Sequence, residues 1–286
     1  MIFEKRLQHI KRYREIALAF SKSGFGYIVE ELGLDEVLSL PKRLLLKQDP
    51  EHVEKTRGER IRLFLEEMGP TFVKIGQVAS TRPDLVPEDI ITELSKLQSH
   101  VPPFPYEKVE EIIEESLGAR VDDIFETLDH DAIGSASIGQ VHKGVLITGE
   151  AVAVKVQRPN IEKIVRNDLE ILHNLAMMAE SRLEWARQYQ LMDMIEEFSR
   201  AIIDELDYTI EGRNTEKISR QFTGDETVHI PEIFWDVTTK DILVMEYIDG
   251  IGISDFNASK FCQMLYLLFR YRHQLIVHLK FMRARS

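Results

Sequence analysis

The sequence predicts an α+β fold, helix-rich, built around a short antiparallel sheet. Three observations carry that reading. Apolar residues recur at helical spacing through most of the first 100 residues and again over 161–222. Two Val/Ile-rich segments flank Thr148-Gly149-Glu150 as a hairpin does, and the apolar run Ile242–Met245 supplies a further strand. With 44% hydrophobic and 29% charged side chains, the 286 residues hold enough apolar material for one large domain or two modest ones, and too much for a disordered chain.

Segments 3–20, 59–80 and 88–98 read as helices, the last through Ile90, Ile91, Leu94 and Leu97. Pro87 stands at its start, where a missing N–H costs nothing. The stretch from His100 to Pro105 holds three prolines and reads as a linker. A further amphipathic helix then runs through Val109, Ile112, Ile113 and Leu117 and stops at Gly118, with Glu110, Glu111, Glu114 and Glu115 as its solvated face. Strands follow at Gln140–Ile147 and Ala151–Gln157, helices at 161–185 and 191–222, and one or two strands within 229–249. No internal repeat is visible.

The net charge, 36 − 48 = −12, repels phosphate backbones and argues against nucleic acid as a partner. The single cysteine, Cys262, excludes an internal disulfide and any multi-cysteine zinc site, and no metal site is expected. The basic residues Lys5 to Arg14 precede only the short apolar run Ile16–Phe20, less than a signal-peptide core. Residues 264–281 are apolar in bulk but interrupted by Arg270, Arg272, His273, His278 and Lys280, whereas a spanning helix needs about 20 mostly uncharged residues. These features predict a cytoplasmic protein with no signal peptide or transmembrane segment. The first 20 residues either pack on the domain or lie on a membrane surface.

Four segments carry candidate chemistry. The loop Gly134-Ser135-Ala136-Ser137-Ile138-Gly139-Gln140-Val141 matches Gly-x-Gly-x-x-Gly-x-Val except at Ala136. Such loops bring backbone N–H groups close to phosphates; taken alone, the segment reads first as an ordinary Gly/Ser turn entering a strand. In Ala151-Val-Ala-Val-Lys155-Val, one lysine shares a strand face with Ala151 and Ala153, small residues that leave room for a ligand. A solvent-facing edge lysine is the alternative. In Glu205-Leu-Asp207-Tyr-Thr-Ile-Glu211, helical spacing puts Asp207 and Glu211 on one face and Glu205 about 120° from Glu211, so two lysines could be served; a solvated acidic face is the alternative. Glu211 is the natural partner of a desolvated Lys155. Finally, Lys74-Ile-Gly76-Gln77 places a glycine within a helix, at a cost of about 1 kcal/mol relative to alanine, which points to close packing.

Loop, hairpin and Val-Ala-Val-Lys together resemble the start of a protein-kinase small lobe. With Lys74-Ile-Gly76-Gln77 and Glu205-x-Asp207, the combination over about 20–260 resembles the UbiB/AarF/ADCK family of atypical protein-kinase-like proteins, linked to ubiquinone and other isoprenoid-lipid metabolism. The resemblance implies a kinase-like small lobe, an antiparallel hairpin and strands with two helices, preceded by a helical extension. It implies a division into 1–105, the extension with the Lys-x-Gly-Gln motif; 106–250, the small lobe and hinge; and 251–286, a tail in place of the large lobe. By that resemblance ATP or ADP is the cofactor, and Gly134, Ser135, Ala136, Ser137, Gly139, Val141, Lys155, Glu211, Glu246 and Ile248 are its contacts. Gly134–Ser137 corresponds to an alanine-rich loop, Lys155 binds the α/β-phosphates and pairs with Glu211, and the hinge backbone at Glu246 and Ile248 holds adenine. Lys74, Gly76, Gln77, Glu205 and Asp207 belong to the cleft-covering extension, with Lys74 paired to Glu205. An isoprenoid lipid or membrane surface is the further partner implied.

The departures are as specific. Kinase-like catalysis needs a His-x-Asp…Asn loop and a metal-binding Asp-Phe-Gly, and neither motif occurs in these 286 residues. Ser254-Asp255-Phe256-Asn257 only approximates the second and reads as the loop after the hinge. Residues 261–286 hold five Lys/Arg and no Asp/Glu, which predicts a shifted reading frame or truncation after about Lys260; a natural basic amphipathic helix is the alternative. The expected function is thus the ATP-binding portion of an atypical kinase or ATPase, inactive alone and without its Mg ligands. A non-catalytic nucleotide-, lipid- or protein-binding module is the competing reading.

Overall fold

The computed structural model describes residues 2–38, 55–98, 102–225 and 227–250. The expectations for the basic tail, Cys262 and 254–257, and for His100 and Val101 of the linker, fall outside the described residues. In chain order the elements are α1 (Ile2–Lys22), α2 (Gly26–Glu31), α3 (Leu34–Val37), α4 (Arg57–Met68), α5 (Pro70–Ala79), α6 (Glu88–Leu94), α7 (Tyr106–Leu117), α8 (Val121–Ile124), β1 (Phe125–Leu128), β2 (Gly134–Ser135), β3 (Gly139–Leu146), β4 (Ala151–Gln157), α9 (Ile161–Arg182), α10 (Glu184–Gln188), α11 (Leu191–Glu205), α12 (Tyr208–Gln221) and β5 (Ile242–Glu246). The fold is α+β and helix-rich, as the periodicity predicts.

Two long predicted helices are each divided. The segment 59–80 breaks at Gly69, whose φ of +93° suits glycine, and restarts with Pro70 at the first helical position. The segment 191–222 breaks after Glu205, because Asp207 leaves the helical region (φ −113°, ψ 95°) and accepts the Thr209 N–H at 3.0 Å. An aspartate that satisfies a free helix-start N–H competes with helix continuation, which hydrophobic spacing does not register. Similarly, 161–185 ends at Arg182, and extended Leu183 precedes α10.

The described residues form two compact units, the first from 1–102, 135–138 and 158–206, the second from 103–134, 139–157 and residues after 206. The first is helical. Ala17 of α1 packs with Val29, Leu32, Leu34, Ala179 and Ala186, so the apolar face of α1 is used inside the unit. Buried Asp168 of α9 receives a bidentate pair from Arg12, Nε at 2.9 Å and Nη2 at 3.1 Å, while Nη2 also donates to the Met68 carbonyl at 2.6 Å. That fork ties α1, α4 and α9 with no buried charge left alone.

The second unit holds an antiparallel sheet in the order β1-β3-β4-β5, with β2 pairing β3. One face is dry: Val152, Val154 and Val156 of β4 and Ile242 and Val244 of β5 pack on Val109 and Ile113 of α7. On the other face Val141 stands opposite Lys155, which faces Leu243, and Lys143 stands opposite Ala153, which faces Met245. Among these Val141, Lys143, Ala153, Lys155 and Met245 are half-buried, so that face is only partly covered.

The dry face admits two polar side chains of β3, and both are satisfied. Gln140 exchanges two hydrogen bonds with the backbone of Phe104, at 2.8 and 3.2 Å, and donates to His142 Nε2 at 2.9 Å. His142 Nδ1 lies 2.7 Å from the Asp129 carbonyl, which only accepts, so the proton sits on Nδ1. Burial holds the imidazole below its ordinary value of 6.5. The unfolded chain therefore binds this proton at higher pH than the folded one. Stability is expected to fall as pH drops below about 6.5 and to level off once the folded imidazole also protonates. Denaturant midpoints across pH 4–8 should show a shallower loss in His142→Gln; an equal slope in that variant contradicts the assignment.

Candidate functional site

Lys155 owes its direction to strand alternation: Val152, Val154 and Val156 enter the dry core, which turns Ala151, Ala153 and Lys155 to the open face. Its side chain is 18% exposed, and Nζ lies 2.6 Å from Glu211 Oε2, itself 33% exposed. Glu211 lies in the first turn of α12, where the helix dipole favours a carboxylate. The same ammonium stands 4.5 Å from the ring centroid of Tyr208, the first residue of α12. A cation fixed between a carboxylate and an aromatic face, on a half-open sheet, is placed to receive anionic oxygens.

Asp207 does not share a helix face with Glu211, as uninterrupted spacing implies. Its Oδ1 accepts both the Thr209 N–H at 3.0 Å and the Thr209 hydroxyl at 2.7 Å, so its carboxylate serves as the helix cap. This cap sets the starting frame of α12 and hence the directions of Tyr208 and Glu211.

The two loop glycines meet different surroundings. A Cβ on Gly134 would have nothing within 4 Å, whereas one on Gly139 would lie 2.3 Å from the Tyr208 hydroxyl and 2.7 Å from the Val156 carbonyl oxygen. Gly139 is thus a close-packing residue. Between them, Ser137 is buried, and Ser135 and Ala136 are held by Arg158: Nη2 donates to Ser135 Oγ at 2.9 Å and Nε to the Ala136 carbonyl at 3.0 Å. Nη2 also reaches the Pro102 carbonyl at 2.8 Å. Arg158 and Tyr208 escaped the sequence reading. A guanidinium directly after the Lys155 strand was the available signal for the first, and a large aromatic between two motif carboxylates for the second.

At the expected hinge, the Glu246 N–H donates to the Glu232 carbonyl at 2.8 Å and the Tyr247 N–H to the Ala151 carbonyl at 2.9 Å. The Glu246 carboxylate meets His229 Nε2 at 2.8 Å. Ile248 makes no backbone hydrogen bond to another described residue. Val141 sits directly across from Lys155.

The Lys-x-Gly-Gln segment lies in the first unit, on α5. Lys74 Nζ is 2.6 Å from Glu205 Oε1 at the end of α11, with side chains 8% and 27% exposed. A Cβ on Gly76 would come within 2.3 Å of Leu97 Cδ1 and 2.7 Å of Leu65 Cδ1, and Gln77 Nε2 donates to the Leu97 carbonyl at 3.1 Å. Gly76 and Gln77 therefore seat the turn at Ser95–Gln98 against α5. Among the described residues, no three His, Cys, Asp or Glu side chains converge as metal ligands, and no helix is long and apolar enough to cross a membrane.

An antiparallel sheet with a strand lysine paired to the glutamate of a packed helix defines a kinase-like small lobe. The family described as the ABC1 atypical kinase-like domain matches residues 96–282, and the chain belongs to it. Among curated relatives, the "Probable protein kinase UbiB" of Azotobacter vinelandii is 40% identical over 249 residues, covering 87% of this chain and 45% of that protein. Its namesake in Pseudomonas aeruginosa PAO1 is 42% identical over 222 residues, 78% of this chain and 41% of that one. The chain thus spans less than half the length of these relatives. A solved structure of Rv3197 with erythromycin, from Mycobacterium tuberculosis, aligns with a TM-score of 0.48 and 26% identity, over 67% of this chain and 48% of that one.

The two ends of the Lys74–Glu205 pair should not be equivalent. Removing Glu205 strands a buried ammonium, whereas removing Lys74 leaves a carboxylate that water reaches. Glu205→Ala is therefore expected to cost more unfolding free energy than Lys74→Met, approaching the roughly 3 kcal/mol typical of a broken buried pair. Urea titrations of both variants check the order; equal or reversed losses contradict it.

Proposed function

We propose that the second unit binds ATP or ADP on its half-open sheet face, with the phosphates at Lys155. The observation that carries this is the 2.6 Å Lys155–Glu211 pair, presented on that face. A polyphosphate brings more negative charge than one carboxylate, so the ammonium gains by bridging the two while Glu211 keeps its direction. Val141, Ala153 and Met245 offer a flat apolar surface for a purine, and the main chain at Ile248, two residues past β5, is the proposed partner of its edge. The open space beside Gly134 admits close backbone approach. These features fit a nucleotide; Gly139, filled by Tyr208, contributes by packing.

Membership of the ABC1 family supports ATP or ADP with Mg as the group such a lobe takes. The metal-holding Asn and Asp of that chemistry are among the motifs these 286 residues lack. The reading is therefore nucleotide binding with negligible turnover by this chain alone, as the binding portion of an atypical kinase or ATPase. The link to ubiquinone or other isoprenoid lipids forms part of the proposal, supported by the UbiB name of the relatives.

Calorimetric titration of the chain with ADP and with ATP, with and without Mg, tests the reading. Saturable binding is expected, lost at least tenfold in Lys155→Met while the far-UV dichroism stays unchanged, since a charge-assisted phosphate contact is worth roughly 1.5–3 kcal/mol. No binding of either nucleotide, with tight binding to ubiquinone-containing vesicles instead, supports the non-catalytic module. Steady ATP hydrolysis abolished by Lys155→Ala overturns the claim of negligible turnover.

A further inference from the structure

The Lys155 ammonium makes two contacts from α12, and the nucleotide reading uses only one. Glu211 takes it at 2.6 Å, and the ring of Tyr208, three residues earlier on the same helix, lies 4.5 Å below it. Positions i and i+3 share a helix face, so α12 presents ring and carboxylate as a fixed pair. Tyr208 is fully buried, and its N–H donates to the Lys240 carbonyl at 3.0 Å. Its hydroxyl end occupies the space that a side chain at Gly139 would fill, 2.3 Å from the Cβ position. Any residue larger than glycine at 139 would push the ring away, and the neighbouring Val156 carbonyl, 2.7 Å from that Cβ position, closes the other direction.

We infer that Tyr208 is a positioning residue for Lys155, and that Gly139 is small so that the ring can reach it. A lysine has four rotatable side-chain bonds, and one carboxylate contact still leaves its ammonium an arc of positions. A ring face supplies a second, non-competing attraction, strongest where water is excluded, as it is around Tyr208. The ring accepts no hydrogen bond that a phosphate oxygen would need. It holds the cation on the open face while leaving its N–H groups free for ligand and Glu211. The last loop glycine therefore contributes to phosphate binding through the lysine that its small size helps to fix. This inference rests on the nucleotide reading above.

The test varies the ring electronically at nearly constant size. Phenylalanine and its mono-, di- and trifluoro derivatives are placed at 208, beside Tyr208→Leu, and ADP affinity is measured for each with a thermal-melt check of folding. Tyr208→Phe is expected to bind within about threefold of the wild type, each added fluorine to weaken binding further, and Tyr208→Leu to lose about tenfold. A merely structural ring gives a flat fluorine series, and that result overturns the inference even if the leucine variant fails to fold. Wild-type binding unchanged in Tyr208→Leu also overturns it, leaving the nucleotide reading intact. Absence of ADP binding by the wild type defeats that reading and this inference with it.

Discussion

A buried-side lysine must be held by something, and the arrangement of the second unit follows from how Lys155 is held. Desolvating an ammonium costs several kcal/mol unless a partner compensates. Here the partner is Glu211, at 2.6 Å. That single requirement fixes α12 against the sheet, because its first turn must bring Glu211 to the open face while Gly212 packs within 2.8 Å of Trp235 at its Cβ position. The cap at Asp207, the close packing of Gly139 on Tyr208 and the dry valine face of β4 all serve that placement.

The first unit solves the same problem twice with different chemistry. Arg12 and Asp168 form a bidentate fork in which the planar guanidinium also takes the Met68 carbonyl, so the pair closes three helices together. Lys74 and Glu205 form a single contact from α5 to the end of α11. Gly76 and Gln77, next to Lys74, act on the turn at 95–98 through packing and one hydrogen bond. Within the first unit the lysine carries the charge, and its neighbours fix the helix that presents it.

How much of this was legible follows from what spacing records. Apolar periodicity finds α7, its stop at Gly118, the β3–β4 hairpin and β5, because those elements face a core on one side. It does not find the breaks at Gly69 and Asp207, since backbone conformation and capping decide them and the apolar spacing runs on through both. Lys155 and Glu211 were readable because a lysine in a valine strand needs a carboxylate. Tyr208 and Arg158 were not: an aromatic beside motif carboxylates looks like core, and an arginine before a proline looks like surface. Gly139 was legible only as a glycine of a phosphate-type loop or turn; its close packing on a side chain some 70 residues away appears only in three-dimensional contact.

The most direct measurement of the central claim is the labelling rate of Lys155. Reductive methylation of the folded chain, read by mass spectrometry with and without saturating ADP, reports whether the ammonium is where phosphates arrive. The account expects strong protection of Lys155 by ADP, with exposed lysines such as Lys11 unaffected. Equal labelling of Lys155 in the two conditions, under saturation confirmed by calorimetry, would contradict it.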